Sequence, residues 1–179
     1  MKFPKPYADF VQRFRVPGGF LLLGSFLALS QPTMQSIAYG IPVSLVGLLI
    51  RVWAAGHLAK NEDLAQSGPY AHVRNPLYLG SLFLAGGLVW GSQSSLVFGI
   101  FAGAFLLIYL PVIQLEEEHL RALFPRYGKY AERVPALLPR LGGKGSPKHF
   151  RGELFRRNKE WKAMLGYLCG LLWLVYRAL

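Results

Sequence analysis

Apolar residues in this chain occur in five long runs that are separated by short polar segments. The runs cover residues 16–30, 37–57, 77–91, 95–114 and 164–177. A helix that crosses the hydrocarbon core of a bilayer needs about 20 mostly apolar residues, so runs of this kind predict membrane-spanning helices. The pattern therefore predicts an all-α membrane protein with about five transmembrane helices. For the last run, an interfacial helix that begins at Phe155 is a second interpretation.

The third and fourth runs are joined by a very short polar turn, GSQSS, at residues 91–95. So short a connection between two apolar helices predicts a tight antiparallel helical hairpin, although the third run is short for a perpendicular span. Leu77 opens this hairpin and Gln114 closes it. Because both ends of a hairpin lie together, we expect the polar residues around these two positions to be neighbours.

The composition agrees with a location in the membrane. Hydrophobic residues make up 53% of the 179 residues and charged residues only 16%, against about 25% charged residues in ordinary soluble domains. A soluble domain of this size would need a larger polar surface. The single cysteine, Cys169, excludes an internal disulfide framework and a metal site built from several cysteines.

The net charge of +11 is concentrated in one segment, because twelve of the 20 Lys and Arg residues lie within residues 121–162. The positive-inside rule and the attraction of anionic lipid headgroups account for a basic segment beside membrane helices. We therefore expect membrane lipids as partners, and we do not expect nucleic acid.

The remaining charges predict a topology. The N-terminus and the connection at 56–76 are also basic, whereas the turns at 31–36 and 91–95 carry no Lys or Arg. By the positive-inside rule, the N-terminus and the basic connections lie in the cytoplasm. We expect an integral protein of a bacterial or archaeal inner (cell) membrane, as a monomer or homodimer. The predicted division is a four-helix core at 1–139, followed at 140–179 by a basic segment and a C-terminal membrane or interfacial helix.

Charged, amide and aromatic side chains are concentrated in residues 60–80, between the second and third runs. Arg74 and Asn75 lie there, and Pro76 fits the first turn of the third helix, where its missing amide donor is harmless. The start of this helix offers free backbone N–H groups and a positive dipole end. A binding site is the favoured interpretation, and a simple cytoplasmic connector is the alternative.

Three consecutive carboxylates, Glu116, Glu117 and Glu118, follow the fourth run. At a membrane surface such a cluster is costly unless cationic groups meet it. Pairing with Arg121 or Arg74 is the simpler interpretation. The predicted hairpin adds a second one, in which the carboxylates face the amide-rich loop across a small site.

Two motifs in a fixed order give the chain a resemblance to a known superfamily. The first is G-P-Y-x-x-V-R-N-P-x-Y-x-G at residues 68–80, and the apolar hairpin follows it. The second is E-E-x-x-L, then F-x-x-Y-x-x-Y and V-P, within residues 116–135. In spacing and order these residues resemble the integral-membrane methyltransferase superfamily, which includes the isoprenylcysteine carboxyl methyltransferases and the phospholipid N-methyltransferases. The resemblance covers residues 51–139, about half of the chain.

The resemblance implies S-adenosylmethionine as the cofactor, bound at the cytoplasmic membrane face, and a lipid-like acceptor that enters sideways from the bilayer. It places the cofactor site in segments 57–80 and 114–135, with Glu116 or Glu117 taking the α-ammonium group. The implied catalytic residues are Arg74, Asn75 and Glu116, and no metal is implied. The implied cofactor-binding residues are Glu62, Asp63, Leu64, Ala65, Gly68, Tyr70, Arg74, Asn75, Pro76, Leu77, Tyr78, Glu116 and Glu117.

Two departures from the family pattern leave the acceptor open. Asn75 stands where many relatives have histidine, and an amide does not titrate. Pro111 and its neighbours occupy the turn in which the prenylcysteine enzymes carry an arginine for the substrate carboxylate. Amine, thiol and other lipidic nucleophiles therefore all remain possible acceptors. His57, His72 and His119 are candidate proton acceptors, with interfacial hydrogen bonding as the alternative.

Other functional classes remain as alternatives. Sterol-type reductases share an R-x-P-x-Y-x-G segment but use NADPH, and they continue with an acidic residue where this chain has Ser81. A non-enzymatic scaffold or transporter subunit is the other alternative, although a transporter would be expected to show internal repeats. The polar residues gather at one membrane surface, which favours an enzyme. The glycines of the third and fourth runs, Gly80, Gly86, Gly87, Gly99 and Gly103, predict close helix packing.

Overall fold

The computed structural model describes residues 3–140, 142 and 148–179, and every regular element in these ranges is helical. The helices are α1 (Lys5–Gln12), α2 (Arg15–Leu29), α3 (Met34–Ala55), α4 (Pro76–Gly91), α5 (Ser95–Ala104), α6 (Leu110–Leu123), α7 (Tyr127–Arg133), α8 (Gly152–Arg157) and α9 (Trp161–Ala178). A short 3-10 helix at Gly68–Ala71 interrupts the connection between α3 and α4. The predicted all-α fold is confirmed.

Two continuous helices in the described ranges are long and apolar enough to cross a membrane. One is α3, with 22 residues, and the other is the 29-residue rod Ser95–Leu123, which consists of α5, a π-helical turn and α6. Helices α2 and α4 are apolar but shorter. The protein is therefore all-α, with two helices that could span a membrane. The arrangement with five membrane spans stays a prediction.

The long helices share two ends, which we call the turn end and the loop end. At the turn end, Ser36 of α3 donates a hydrogen bond to the carbonyl of Gly91 at 2.9 Å. The guanidinium of Arg177, in the last turn of α9, donates to the carbonyl of Ser30 at 3.0 Å in the same region. Helix α9 therefore extends along the bundle and reaches its turn end.

The loop end carries the long connection between α3 and α4. Arg51, near the end of α3, donates to the carbonyl of Leu77 at 3.3 Å, which joins the end of α3 to the start of α4. Glu160, directly before α9, accepts two hydrogen bonds from the same guanidinium. The segments that carry the predicted site residues lie at this end.

Helix α4 packs most closely against α3, at glycines whose missing side chains allow backbone contact. A Cβ atom on Gly47 would lie 2.3 Å from the amide nitrogen of Leu84, and one on Gly87 would lie 2.2 Å from the hydroxyl oxygen of Ser44. The Ser44 hydroxyl donates to the carbonyl of Leu84 at 2.9 Å. Small residues that allow such approach are typical of membrane helix pairs.

This packing corrects the prediction of a tight hairpin between α4 and α5. The short turn does join them, but the close partner of α4 is α3. The packing role predicted for Gly99 and Gly103 is wrong, because an added Cβ on either would meet no atom of the described residues within 4 Å. Gly80 and Gly87 do serve helix packing, but their partner is α3.

The π-helical turn at Phe105–Tyr109 has an identifiable cause in Pro111. Proline lacks the amide that would bond to the carbonyl four residues earlier, at Leu107. The hydroxyl of Tyr7 in α1 donates to that carbonyl at 2.8 Å. The backbone amide of Phe3 also donates to the Gln114 side chain at 2.7 Å. Helix α1 is therefore bound to the rod at the position where its regular bonding is interrupted.

The contact between α3 and α4 predicts a difference between two glycine substitutions. We expect Gly47→Ala to lower the free energy of unfolding by about 1–3 kcal/mol, because the added methyl meets backbone atoms that cannot rotate away. Gly99→Ala is the matched control, since it gains the same helix propensity without a contact. Thermal unfolding in detergent, followed by tryptophan fluorescence, measures both. Equal midpoints for the two variants would contradict the close packing of α3 and α4.

Candidate functional site

A cavity of about 950 Å³ lies at the loop end and is bounded by both predicted site segments. Cavities that bind small molecules and cofactors commonly measure about 300–1,000 Å³. Nine of the sequence-predicted site residues line it: Asp63, Leu64, Ala65, Tyr70, Arg74, Asn75, Leu77, Tyr78 and Glu116. In the described part of the chain, the cavity lining does not include the other four, which are Glu62, Gly68, Pro76 and Glu117. The structure thus brings most of the predicted set to one place.

Glu116 presents its carboxylate to this cavity. The phenol of Tyr78, in the first turn of α4, donates to Glu116 Oε1 at 2.9 Å. Arg15, the first residue of α2, donates to the same oxygen at 3.3 Å. The Glu116 side chain is 45% exposed, so it remains open to further ligands. This contact confirms that the polar residues around Leu77 and Gln114 are neighbours, as expected.

Glu117 points to a different set of partners and forms a clamp with Arg74 and Asn75. Arg74 donates through Nε at 2.8 Å and through Nη2 at 2.9 Å to the two carboxylate oxygens, which is the bidentate arrangement. The amide of Asn75 donates to Glu117 Oε1 at 2.9 Å. The remaining nitrogen of Arg74, Nη1, donates to the carbonyls of Ala131 and Val134 at 2.7 and 2.8 Å. The clamp ties the connection before α4 to α6 and to the end of α7, so the charge-pairing interpretation holds for Glu117.

Three predicted residues outside the cavity wall have structural roles in the connection before α4. Gly68 has a φ of +56°, and a Cβ there would lie 2.6 Å from the ring of His57, so both conformation and space favour glycine. Pro76 is fully buried at the start of α4. Glu62 lies outside the cavity and pairs with Arg157 at 2.6 Å. These residues shape and close the connection rather than line the cavity.

Buried tyrosines form much of the aromatic wall. The phenol of Tyr130 donates to the carbonyl of Tyr70 at 2.8 Å. Burial, reinforced by the tyrosine and carboxylate neighbours, raises the pKa of the Tyr70, Tyr127 and Tyr130 phenols, which are therefore neutral donors at physiological pH. Among the described residues, none accepts a well-formed hydrogen bond from the buried Tyr127 hydroxyl. The Glu117 carboxylate lies near this hydroxyl and contributes to the raised pKa of the phenol.

A second ion pair, between Arg51 and Glu160, also lies in the cavity wall. Arg51 donates to Glu160 through Nε at 2.9 Å and through Nη2 at 2.8 Å, and it also hydrogen-bonds Ser81. Asn158 donates to the carbonyls of Ala55 and Leu58, both at 2.9 Å, at the end of α3. Asn158 and Glu160 line the cavity. Sequence reasoning missed both, and the one available signal was Glu160, an acid within a strongly basic segment.

The three candidate proton acceptors are in different surroundings. His119 lines the cavity. His57 Nδ1 lies 2.9 Å from the Ser67 hydroxyl, and burial, together with the nearby charge of His149, lowers the pKa of its imidazole. His72 Nδ1 lies 2.9 Å from the carbonyl of Arg140. The hydrogen-bonding interpretation therefore fits His57 and His72, and His119 is the histidine placed to meet a ligand.

Comparison with known proteins places this site in a family. Residues 37–127, just over half of the chain, match the phospholipid methyltransferase family. The cobalt-zinc-cadmium resistance protein CzcN of Cupriavidus metallidurans is 39% identical over 104 residues, which cover 57% of this chain and 47% of that protein. The nickel-cobalt-cadmium resistance protein NccN of Alcaligenes xylosoxydans xylosoxydans is 36% identical over 104 residues, with the same coverage.

The chain spans about half the length of the curated relatives that it matches. No solved structure matches it. In the described residues, no group of three or more His, Cys, Asp or Glu side chains is arranged to hold a metal ion. The family match contains both predicted site segments up to Tyr127, and it agrees with the resemblance inferred from the two motifs. The chain therefore belongs to the phospholipid methyltransferase family.

Proposed function

We propose that this protein transfers a methyl group from S-adenosylmethionine to a lipid-like acceptor at the cytoplasmic face of a membrane. One observation carries the proposal: the two motif segments meet at a cavity into which Glu116, held by Tyr78, presents its carboxylate. Family membership supports the proposed reaction class, and the cavity supports the proposed location of the site.

The residues of the cavity suit the charges of this cofactor. S-adenosylmethionine carries an ammonium group, a carboxylate, a sulfonium and an adenine ring. Glu116 would bind the ammonium group through a charge-assisted hydrogen bond. The rings of Tyr70, Tyr127 and Tyr130 would provide aromatic surface for the sulfonium and the adenine.

The bound cofactor would supply an activated methyl group. The residues of the chain would hold the reacting groups in position and exclude water. Transfer between two bound molecules gains most from holding the reacting atoms in line and close together. The clamp formed by Glu117, Arg74 and Asn75 fixes the connection that forms one wall. Asn75 serves there as a hydrogen-bond donor. His119 is the cavity-lining imidazole that would take a proton from the acceptor.

The membrane side of the cavity is suited to a lipid. Leu77, Tyr109 and Leu115 line it there, on α4 and on the rod of α5 and α6. We infer that the basic loop end faces the cytoplasm, because the connection at 56–75 and the segment after α6 carry most of the Lys and Arg residues. We also infer that α9, which extends from the loop end to the turn end, is a fifth membrane helix.

Cofactor binding and methyl transfer test the proposal separately. We expect isothermal titration calorimetry on the detergent-purified protein to show binding of S-adenosylhomocysteine. We also expect incubation of membranes with methyl-labelled S-adenosylmethionine to place the label in the lipid extract. The control is the same measurement on protein unfolded by heat. Binding of NADPH without binding of S-adenosylhomocysteine would overturn the proposal and favour a reductase.

A further inference from the structure

We propose that Arg15 and Glu116 together form a binding site for a zwitterion in the cavity. Glu116 would take a cationic nitrogen, and Arg15 would take the carboxylate or phosphate group next to it. Arg15 precedes the family match, which begins at residue 37, so the family assigns it no role. This inference rests on the proposed function and adds a residue to its site.

The geometry places the two charges side by side in the cavity wall. Arg15 Nη1 lies 3.3 Å from Glu116 Oε1. Its guanidinium carbon lies 5.7 Å from the centre of the Tyr78 ring, which holds the cation over an aromatic face. Tyr78 donates to Glu116 at 2.9 Å and so connects both members. A cation and an anion at this separation match a ligand with opposite charges a few bonds apart.

The other arginines of the cavity already have partners. Arg74 uses Nε and Nη2 for Glu117, and its Nη1 bonds two backbone carbonyls. Arg51 uses Nε and Nη2 for Glu160 and Nη1 for Leu77 and Ser81. Arg15 makes one side-chain hydrogen bond among the described residues, to Glu116. Of the three arginines that line the cavity, Arg15 is therefore the one with donors that are not used by other described residues.

The pair can also open at little cost. The side chains of Arg15 and Glu116 are 44% and 45% exposed. Ion pairs with this exposure contribute little to stability, because water solvates both partners when they separate. A ligand that offers a cation to Glu116 and an anion to Arg15 replaces one solvated contact by two. The buried clamp around Glu117 has no such freedom.

Two sources could supply the zwitterion, and both carry the same chemistry. One is the amino-acid end of the cofactor, with an α-ammonium group and a carboxylate. The other is the headgroup of a zwitterionic phospholipid, with an amine and a phosphate. Ligand pairs that differ only in the zwitterionic part distinguish them.

The experiment compares wild type, Arg15→Met and Arg13→Met by isothermal titration calorimetry. Arg13 is the matched control, a neighbouring exposed arginine that does not line the cavity. The ligands are S-adenosylhomocysteine, 5′-methylthioadenosine, which lacks the amino-acid end, and dihexanoylphosphatidylethanolamine. We expect Arg15→Met to weaken S-adenosylhomocysteine or the phospholipid about tenfold, the effect of one lost charge-assisted hydrogen bond. Binding of 5′-methylthioadenosine should not change, and Arg15→Lys should restore part of the loss.

The zwitterionic ligand whose binding is weakened by Arg15→Met identifies the source of the zwitterion. Unchanged binding of both zwitterions by Arg15→Met would overturn the inference while leaving the proposed function intact. Equal weakening of 5′-methylthioadenosine would also overturn it, since this would indicate a general disturbance of the cavity. Wild-type protein that binds neither nucleoside would overturn the proposed function. Phospholipid binding that still depended on Arg15 would then support the zwitterion site on its own.

Discussion

Glu116→Gln should weaken the binding of S-adenosylhomocysteine by between about tenfold and about 100-fold. The substitution keeps the size of the side chain and its hydrogen bond with Tyr78 but removes the charge that faces the cavity. Hydrogen bonds between charged groups contribute about 1.5–3 kcal/mol, which corresponds to this range. The value of kcat/KM for methyl transfer should fall by at least the same factor.

Glu118→Gln is the matched control for this prediction. Glu118 is the next carboxylate along α6, is exposed and accepts a hydrogen bond from Gln114 at 3.0 Å. It does not line the cavity, so its loss should leave affinity and turnover unchanged. Calorimetry on the two variants, at the same ionic strength, measures the difference. If both variants lost affinity equally, the general negative charge of the cluster would be responsible and the specific role of Glu116 would be refuted.

Arg74→Met should lower the free energy of unfolding by about 3 kcal/mol. The Arg74 and Glu117 side chains are only 14% and 18% exposed, so removing one partner leaves the other poorly solvated. The carbonyls of Ala131 and Val134 would lose their donor as well. At roughly 2–4 °C per kcal/mol for a chain of this size, the thermal midpoint should fall by about 6–12 °C.

Arg133→Met separates the effect of the clamp from the general effect of losing an arginine. Arg133 is exposed and bonds only the carbonyl of Lys129 among the described residues. Its loss should change stability by no more than about 0.5 kcal/mol. Scanning fluorimetry based on tryptophan emission is the suitable measurement, because Cys169 is exposed and would react with thiol dyes before unfolding. Equal midpoints for the two arginine variants would show that the clamp does not stabilise the fold.

Local patterns in the sequence were sufficient to predict the centre of the site. Two apolar helices with a three-residue connection must return the chain to its starting side, so Tyr78 and Glu116 had to lie near one another. Most helices start and end near the predicted positions, because the apolar runs and Pro76 determine them. The rod is the exception, since it continues to Leu123, nine residues beyond the predicted end at Gln114. The predicted packing partner of α4 was wrong, because a short turn shows only that two helices are connected. Which helices pack closely depends on the shapes of their facing surfaces. The matching small residues in α3, Gly40, Ser44 and Gly47, carried that information.

The contributions of the two ends of the chain could not be predicted in the same way. Arg15 reaches Glu116 across 101 positions, and Arg51 reaches Glu160 across 109. No periodicity or spacing relates residues so far apart, and the helical packing alone brings them together. The assignment of Glu117 illustrates the same limit. Adjacent residues of a helix are rotated by about 100° from each other, which places Glu116 and Glu117 on different faces of α6. The positions of Arg74 and Asn75 decide which carboxylate is bound and which is open.

The close contact between α3 and α4 also determines how a lipid can reach the cavity. Where an added methyl group would already lie 2.2–2.3 Å from an atom of the facing helix, an acyl chain cannot pass. This side of the bundle is therefore sealed against the bilayer. An acceptor of the proposed reaction would have to reach the cavity elsewhere, and Gln12, Arg15 and Tyr109 line one other side of it. An acceptor that entered there would pass Arg15, which lines the cavity beside Glu116.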